Sequence, residues 1–523
     1  MRKLFLLLLP LAGISQDYTY DVLIKNGKIV DGTGNSWYYG DVAVKDGKIA
    51  AIGKLPNAAA NKVVDARGLI VAPGFIDVHG HLEGGVFRNP SGENLLYDGV
   101  TSVITGNCGG SSDDIGKFLW RLDSIKTGIN IGSLIGHNTV REKVMGRSNR
   151  PPTAEEQRQM EALVEKAMKD GAVGFSTGLI YIPGTYAATD EVVGLAKAAA
   201  RYHSVYASHI RDEGLNVFEA IEEAINIGRQ AQMPVQISHF KISNKTNWGR
   251  AGETLALIEK ARKEGYDVNI DQYMYTASST NLHTRLPSWV MSGGQDSVVW
   301  RINDPATRKR ILDEMMQTLK KSKNKNYSYA VVASYSKDTT LNGKSISEIN
   351  KNKGRKAKAK QEAETILEMI ENGGAQMIYH SMSEDDLRYF LRSPYNMFAR
   401  DAGVTTHSGV PHPRTYGNNS RALGKYVREE KIITLEEAIR RMTSLPAQKF
   451  QLKNRGLLRE GMAADIVIFD EKTVTDKATF EQPHQYSEGF KFVLVNGQMV
   501  IEEGKYNGTR NGQSLKGPGF IKQ

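Results

Sequence analysis

Two histidines separated by one residue, His79 and His81, follow a short apolar stretch of the chain. On an extended strand, residues i and i+2 point to the same side, so both imidazole rings can face one point at the carboxyl end of the strand. Imidazole nitrogen is a preferred ligand of divalent metals such as Zn²⁺. The alternative of two surface histidines is weakened by Asp77 in the same segment and by further candidate ligands at later strand ends.

More residues that bind metals or transfer protons stand at the ends of other strand-like runs. They are Cys108, His209, His239 and Asp401, which come after the runs 101–105, 205–208, 235–238 and 397–400. Histidine, thiolate and carboxylate together make up the usual ligand set of zinc. A polar residue satisfied within the core would explain any one of them, but five such strand ends would require several coincidences.

The intervening sequence alternates strand-like and helical patterns, which is typical of an α/β protein with a parallel sheet. Several intervals are about thirty residues, the size of one βα unit. Ten strand candidates appear between Phe75 and Asp401, two more than a closed (β/α)8 TIM-type barrel needs. We therefore predict a distorted (β/α)8 barrel over residues 73–454 with an insertion around 282–361. In such a barrel the chemistry lies at the carboxyl ends of the strands.

Helix boundaries are marked in two places. Thr153 and Glu156 form a capping-box pattern before an apolar helical face. Thr434 begins the last predicted barrel helix, which we expect to end at Pro446.

Both ends of the chain carry β-hairpin signals. Asn26-Gly27 and Asp46-Gly47 separate strand-like runs near the beginning, and Asn496-Gly497 does so near the end. Asn-Gly and Asp-Gly are the turns that match the twist of paired strands. Residues 16–72 and 455–523 are thus predicted to form one small β-sandwich domain beside the barrel.

The segment Met1–Ser15 has the pattern of a secretory signal, with two basic residues, an apolar run and then small residues. Its apolar run is too short to span a bilayer, so we expect cleavage, no stable membrane insertion and export to the periplasm or the medium. An uncleaved N-terminal anchor is the alternative. Cys108 is the only cysteine, which excludes a disulfide within the chain.

The formal net charge is +10, and part of the excess lies in two lysine-rich runs, Lys320–Lys325 and Lys351–Lys360. No aromatic residue is interleaved with the basic residues of these runs, as a base-stacking surface would need. We therefore interpret them as solvated surface and expect no nucleic-acid partner.

The chain resembles the D-aminoacylases (N-acyl-D-amino-acid deacylases) of the amidohydrolase superfamily over nearly its whole length. The segments that carry the resemblance are Gly74-Phe-Ile-Asp-Val-His-Gly-His81, Gly99-Val-Thr-Ser-Val-Ile-Thr-Gly-Asn-Cys-Gly109, Gly174-Phe-Ser-Thr-Gly-Leu179, Tyr206-Ala-Ser-His-Ile-Arg-Asp-Glu-Gly214, Pro234-Val-Gln-Ile-Ser-His-Phe-Lys241, Asp271-Gln-Tyr-Met-Tyr-Thr-Ala-Ser-Ser279, Pro411-His-Pro-Arg414 and Leu457-Leu-Arg-Glu-Gly-Met-Ala-Ala-Asp465. Gly-Asn-Cys-Gly and Pro-His-Pro-Arg are specific to the deacylase branch.

This resemblance implies a tight zinc held by Cys108, His209 and His239, and a second, weaker metal position at His79 and His81. Many superfamily members bridge two metals with a carboxylated lysine on strand four, but the matching run, residues 171–178, has no lysine. Cys108 would take that ligand's place.

The resemblance also implies the chemistry and the substrate. Asp401 would take the proton of the attacking water and pass it to the leaving nitrogen of an N-acyl-D-amino acid. By family analogy, the residues that hold the substrate carboxylate would be Lys241, Tyr273, Ser279 and Arg414. Arg414 has the planar fork that matches a carboxylate, whereas a core or loop role explains Tyr273 and Ser279 nearly as well.

The chain departs from the family pattern beside the catalytic acid, where the sequence is Arg400-Asp401-Ala402-Gly403. Neighbours on a strand face opposite sides, so we expect Arg400 to point away from the site. His380 and His137 are further candidates for lining it. Two alternative functions stay open: another amidohydrolase, such as a dihydroorotase-like cyclic amide hydrolase, or a metal-bearing barrel that binds without catalysis. The oligomeric state is also left open.

Overall fold

The computed structural model describes residues 19–405 and 407–522, so the predicted signal segment Met1–Ser15 lies outside the described residues and stays a prediction. Eight parallel strands form the main sheet, in the order Phe75–Asp77, Val100–Thr105, Asn130–Gly136, Gly174–Gly178, Val205–His209, Val235–Ile237, Val268–Gln272 and Asn396–Phe398. A parallel bridge between Gly80 and Ala402 brings the first and last strands together. This confirms the predicted (β/α)8 barrel. In the described part of the chain, no helix is long and apolar enough to cross a membrane.

Helices accompany the barrel strands in alternation. They are Glu93–Leu96, Ile115–Ile125, His137–Met145, Ala154–Lys169, Thr189–Ala200, Val217–Ala231, Ala251–Lys263, Glu384–Leu391, Arg414–Arg421, the π-helix Ala422–Glu429, Leu435–Met442 and Ser444–Lys449. Thr153 and Glu156 form the predicted capping box. The prediction that the last helix ends at Pro446 is wrong: the helix breaks at Thr443, and the short helix that follows contains Pro446 near its start, where a missing N–H costs little.

The two ends of the chain share one nine-stranded sheet. Its strands are Thr19–Ile29, Tyr38–Lys45, Lys48–Gly53, Ala59–Asp65, Ile70–Pro73, Ile466–Phe469, Phe490–Val495, Gln498–Glu502 and Lys505–Tyr506. Ile70–Pro73 joins the two halves, because it pairs in parallel with the first strand and antiparallel with Ile466–Phe469. Asp46 and Asn496 have positive φ and lie in turns between paired antiparallel strands, as predicted. The hairpin predicted at Asn26-Gly27 is wrong, because these residues form a β-bulge within the single strand Thr19–Ile29. In the sequence, Ile70–Pro73 of this sheet is separated from the first barrel strand, Phe75–Asp77, by one residue.

A separate layer, which we call the insertion, stands between the seventh and eighth barrel strands. Its three-stranded sheet consists of Ser278–Asn281, Ala330–Ser334 and Gln376–Tyr379, and its helices are Gln295–Asn303, Pro305–Lys321, Ile346–Asn352 and Ala359–Glu371. These elements enclose an apolar core of their own. The two surplus strand candidates belong to this sheet, so the insertion continues past its predicted end at Gln361.

Apolar side chains fill the barrel below its mouth. Ile104, Leu134 and Val205 from the strands pack there with Phe450 and Leu515 from the later chain. The polar groups able to do chemistry are therefore held at the carboxyl ends of the strands.

Candidate metal and catalytic site

The five predicted metal ligands come together at the mouth of the barrel, around one thiol. The Sγ atom of Cys108 lies 3.3 Å from His79 Nε2, 3.5 Å from His209 Nδ1 and 3.5 Å from His239 Nε2. Cys108 forms one group with His79 and His81 and a second with His209 and His239, and within each group the ligand atoms lie within 4.8 Å of one another. Imidazole and thiolate donors at this spacing fit one or two divalent metals of borderline softness.

The loop that carries Cys108 depends on its glycines. Gly106 has φ +78°, and a Cβ there would lie 2.2 Å from the carbonyl oxygen of Leu134; Gly109 has φ +74°, and its Cβ would lie 2.2 Å from Asn138 Oδ1. Asn107 between them donates hydrogen bonds to two strand-end carbonyls. The loop can therefore pass close to its neighbours and hold the thiol over the barrel mouth.

Three of the site residues themselves adopt left-handed backbone conformations. The φ angles are +54° at Cys108, +36° at His239 and +49° at Asp401. Such angles are uncommon for residues other than glycine and cluster at functional sites. Each turns a side chain into the mouth just beyond its strand.

The histidines around Cys108 favour the thiolate form of its side chain. Burial raises the pKa of Cys108, but the neighbouring His79 and His209 rings outweigh burial and hold that pKa well below its ordinary value. The thiolate is the form of cysteine that binds metals.

Two carboxylates that the sequence analysis did not assign orient the histidines. Asp271 Oδ1 accepts a hydrogen bond from the backbone N–H of His239 at 2.8 Å and lies 3.7 Å from Nδ1 of His79. Glu213 Oε1 lies 2.8 Å from Nδ1 of His239 and 2.5 Å from Lys241 Nζ. A metal-binding histidine commonly donates its other N–H to such a carboxylate. The signals in the sequence are the position of Asp271 at a strand end and the spacing of Glu213, four residues after His209.

Asp401 stands beside the ligand cluster with its two oxygens held differently. Oδ1 lies 3.2 Å from Nε2 of His81 and 3.6 Å from Nε2 of His79, whereas Oδ2 is 2.7 Å from Nη2 of Arg414. Burial raises the pKa of this carboxyl, but Arg414 and the hydrogen bond from His81 lower it well below the ordinary range. Asp401 is therefore ionised, with Oδ1 turned toward the ligands.

The predicted substrate residues take unequal positions. Besides the Nη2 contact with Asp401, Arg414 donates from Nε to the backbone carbonyl of Asp401 at 2.9 Å, and Nη1 is buried without a hydrogen-bond partner among the described residues. The guanidinium of Arg414, which was predicted to bind the substrate carboxylate, thus binds Asp401 instead, and only its Nη1 is without a partner among the described residues. Lys241 is paired with Glu213. Tyr273 packs near the cations of Lys241 and Arg414, and Ser279 accepts a hydrogen bond from Gln376.

Three other polar residues considered from the sequence have structural partners. Arg400 is buried, donates from Nε to the carbonyl of Arg414 and faces Asp98, so it points away from the Asp401 carboxylate as expected. His137 pairs with Glu191, and His380 packs on Phe480. None of these contacts involves a predicted metal ligand.

Three cavities meet at Tyr181, which lines all of them. The first, of about 180 Å³, contains His209, His239, Lys241, Arg285 and Asp401 in its walls. The second, of about 370 Å³, contains His81, Cys108, Asp401 and Arg414. The third, of about 380 Å³, has Ile180, Ile182, Leu286 and Met291 in its walls together with polar side chains such as Gln295. The barrel mouth thus opens in three directions from the ligand cluster.

Comparison with known proteins gives concordant matches. The sequence model described as the amidohydrolase family matches residues 62–501. A D-aminoacylase of Alcaligenes xylosoxydans xylosoxydans is 34% identical over 96% of this chain and 98% of its own length, and an N-acyl-D-glutamate deacylase of the same organism is 35% identical over 92% and 94%. The crystal structure of an N-acyl-D-glutamate deacylase from Bordetella bronchiseptica, complexed with zinc and a phosphonate inhibitor that mimics the tetrahedral intermediate, superimposes with a TM-score of 0.82 at 34% identity, covering 95% of this chain and 100% of that one.

Proposed function

The chain is a hydrolase that belongs to the amidohydrolase family, and we propose that it uses zinc to cleave the amide bond of N-acyl-D-amino acids, releasing a carboxylate and a free D-amino acid. The observation that carries this proposal is the ionised Asp401 carboxylate facing a cluster of four histidines and a thiolate. Its relatives named for D-amino-acid substrates match over nearly their full length, which supports the same substrate class here.

The ligand geometry supports one tight zinc position and one weaker one. Cys108, His209 and His239 would hold the first, and His79 and His81 would hold the second beside it. A bound zinc ion supplies Lewis acidity, which polarises an amide carbonyl and makes an attacking water more acidic. Three protein ligands leave a position open, as a catalytic zinc site requires.

Asp401 carries the proton in this proposal. Because Arg414 fixes Oδ2, Oδ1 faces the ligand cluster, where the attacking water would lie. The ionised carboxylate takes the water's proton as the new carbon–oxygen bond forms. It then returns that proton to the amide nitrogen as the carbon–nitrogen bond breaks, so the carboxylate is regenerated in each cycle.

The three cavities suit the three limbs of an N-acyl amino acid. The buried Nη1 of Arg414 offers a donor to the α-carboxylate in the second cavity. The apolar residues in the wall of the third cavity can contact the acyl group, which leaves the first cavity for the amino-acid side chain. A fixed placement of three different limbs around one carbon is also what chiral selection requires.

The test is a turnover panel of N-acetyl-D- and N-acetyl-L-amino acids, with bound zinc measured on the same samples. We expect much faster hydrolysis of the D series. Equal rates on both series, or a preference for cyclic imides, would contradict the proposal. Binding of the compounds without turnover would favour a metal-bearing binding protein.

A further inference from the structure

The insertion carries most of the net positive charge of the protein. Residues 278–379, which are 102 of the 523, contain 17 lysines and arginines against 10 aspartates and glutamates, a net charge of +7 out of the total of +10. Half of these acids are neutralised by ion pairs within the insertion, which join Asp313 to Lys309, Glu314 to Arg310, Glu364 and Glu371 to Arg308, and Glu368 to Lys353 and Arg355. The excess charge therefore lies on other residues of the insertion.

That excess lies in the two lysine-rich runs. Eight lysines of these runs are exposed and have no acidic partner within 4 Å among the described residues, and we call them the basic rim: Lys320, Lys321, Lys323, Lys325, Lys351, Lys356, Lys358 and Lys360. The backbone N–H of Tyr327, two residues after the first run, donates at 2.7 Å to Glu362, two residues after the second run. The two runs are therefore adjacent in the fold, although 25 residues separate them in the sequence.

The basic rim borders the outer end of the first cavity. Thr318, Ser322 and Asn324, which precede the first run or alternate with its lysines, are in the wall of that cavity. Thr318 is exposed and the other two are half-buried, whereas the histidines in the same wall are buried, so this segment marks the solvent side. Thr246 Oγ1 fastens the segment to the barrel by donating to the carbonyl of Lys321 at 2.8 Å. The lysines thus flank a path from solvent to the ligand cluster.

Most charged groups deeper in this cavity are already paired. Lys241 is paired with Glu213, and Asp401 is paired with Arg414. Asp212, the remaining acid in the wall, accepts hydrogen bonds from backbone N–H groups. The electrostatic potential at the entrance is therefore determined mainly by the basic rim, which has no such partners.

We propose that the basic rim steers anionic substrates into the first cavity and raises the rate at which they reach the ligand cluster. This inference rests on the proposed deacylase function, because an N-acyl amino acid carries at least one carboxylate. A cleft bordered by one sign of charge raises the local concentration and the association rate of opposite charges by about 10- to 10³-fold, and salt screens this gain. Lysine suits this role because its ammonium is a hydrated, flexible point charge that does not hold an anion in one geometry.

The experiment reverses two charges of the basic rim in the variant Lys323→Glu/Lys325→Glu. Zinc-loaded protein is assayed from about 10 mM to about 500 mM ionic strength with N-acetyl-D-glutamine and N-acetyl-D-glutamate, which are similar in shape but carry one and two negative charges. At about 10 mM we expect kcat/KM to fall at least about 3-fold with the first compound and further with the second, while kcat is unchanged. At about 500 mM the Debye length is about 4 Å, and the variant should lie within about 1.5-fold of wild type.

Lys48→Glu/Lys54→Glu is the matched control, because it changes the net charge by the same amount. Both lysines are exposed, lie at the two ends of strand Lys48–Gly53 in the nine-stranded sheet, and line none of the three cavities. Its kcat/KM should stay within about 1.5-fold of wild type at every ionic strength. Thermal unfolding midpoints of both variants show that each one is folded.

The outcomes separate this inference from the function on which it rests. If the rim variant keeps the wild-type kcat/KM at about 10 mM, or if the control variant loses as much, steering is wrong and the deacylase function stands. A loss that persists at about 500 mM, or a fall in kcat, would mean that these lysines contact the substrate or shape the cavity, and would also overturn the inference. If wild-type protein hydrolyses no N-acyl-D-amino acid, the proposed function itself fails and the inference fails with it.

One further arm tests a different partner for the basic rim. Vesicles of phosphatidylglycerol and of phosphatidylcholine are sedimented with wild-type protein and with the rim variant. Steering predicts that the kinetic difference between the two proteins is the same with and without vesicles. Binding to phosphatidylglycerol that the rim variant loses, with no difference in kcat/KM, would assign the basic rim to a lipid surface and overturn the inference.

Discussion

Replacing Asp401 by asparagine separates proton transfer from metal binding. Asparagine keeps the size of the side chain and one oxygen for Arg414, but it cannot accept the proton of the attacking water. Loss of a general base typically costs about 10²- to 10⁴-fold in rate. At about 1.4 kcal/mol for each factor of ten, this raises the barrier by roughly 3–6 kcal/mol. We therefore expect kcat to fall at least about 10²-fold while zinc remains bound.

The same substitution has a calculable effect on stability. Asp401 and Arg414 form a buried ion pair at 2.7 Å, in which the side chain of Arg414 is 3% exposed and that of Asp401 is 12% exposed. Breaking a buried pair on one side costs about 3–5 kcal/mol, and the remaining hydrogen bond to asparagine places the loss near the lower figure. Replacing Arg414 by glutamine as well removes the stranded charge, so Asp401→Asn/Arg414→Gln should regain stability without regaining activity.

The assay follows kcat, bound zinc and the thermal unfolding midpoint for the single and double variants over a titration of added zinc. If Asp401 carries the proton, excess zinc should not restore the activity of Asp401→Asn. If Asp401→Asn lost its zinc and recovered activity when zinc was added, Asp401 would be a metal ligand and the reasoning would be refuted. A near-normal kcat would leave the proposed reaction without its base.

Three further predictions rest on other contacts. Cys108→Ala should remove most of the tightly bound zinc along with the activity, since Sγ is the atom shared by the ligand groups, and undiminished zinc content would exclude the thiolate ligand. Glu213→Gln removes the charged partner of His239 and Lys241 and should weaken zinc binding by roughly 10- to 100-fold, measured by competition with a chelator; unchanged affinity would show that Glu213 does not support the ligand. Burial lowers the pKa of Lys449 from 10.5 to about 8 against the opposing effect of Asp267, so below about pH 8 the charged lysine costs roughly 3 kcal/mol, and this cost disappears as the pH rises to about 10.5. Lys449→Met should thus raise the unfolding midpoint at pH 7 by more than at pH 10, and an equal shift at both values would refute the assignment.

The barrel and the ligand cluster could be predicted from the sequence for one physical reason. Parallel strands all end at the same face, so a polar residue after each apolar run can be assigned to a common site without any distance being known. His79, His209 and Asp401 were placed in this way, and they do converge. The same logic does not give the length of an insertion, because Gln376–Tyr379 has the apolar pattern of a barrel strand and joins another sheet.

The sequence could not show which charged side chains pair with one another in the folded protein. Arg414 has the right chemistry for a substrate carboxylate, but a guanidinium binds the nearest carboxylate, and in the fold that is Asp401. Glu213 shows the converse. It lies in a loop after a strand, and its importance depends on which side chains reach it across the mouth. Such pairings are set by tertiary packing over long sequence separations.

The left-handed backbone at Cys108, His239 and Asp401 has a consequence for attempts to make this protein more robust. A left-handed conformation costs an ordinary residue roughly 1–2 kcal/mol, a penalty that glycine escapes. At Asp401 the loss of the buried pair with Arg414, about 3–5 kcal/mol, outweighs this strain, so glycine would be selected against there. At Cys108, heat selection without added metal would instead be drawn toward glycine, which removes a metal ligand. A screen for durable catalysts must accordingly score turnover in every round and not only solubility after heating.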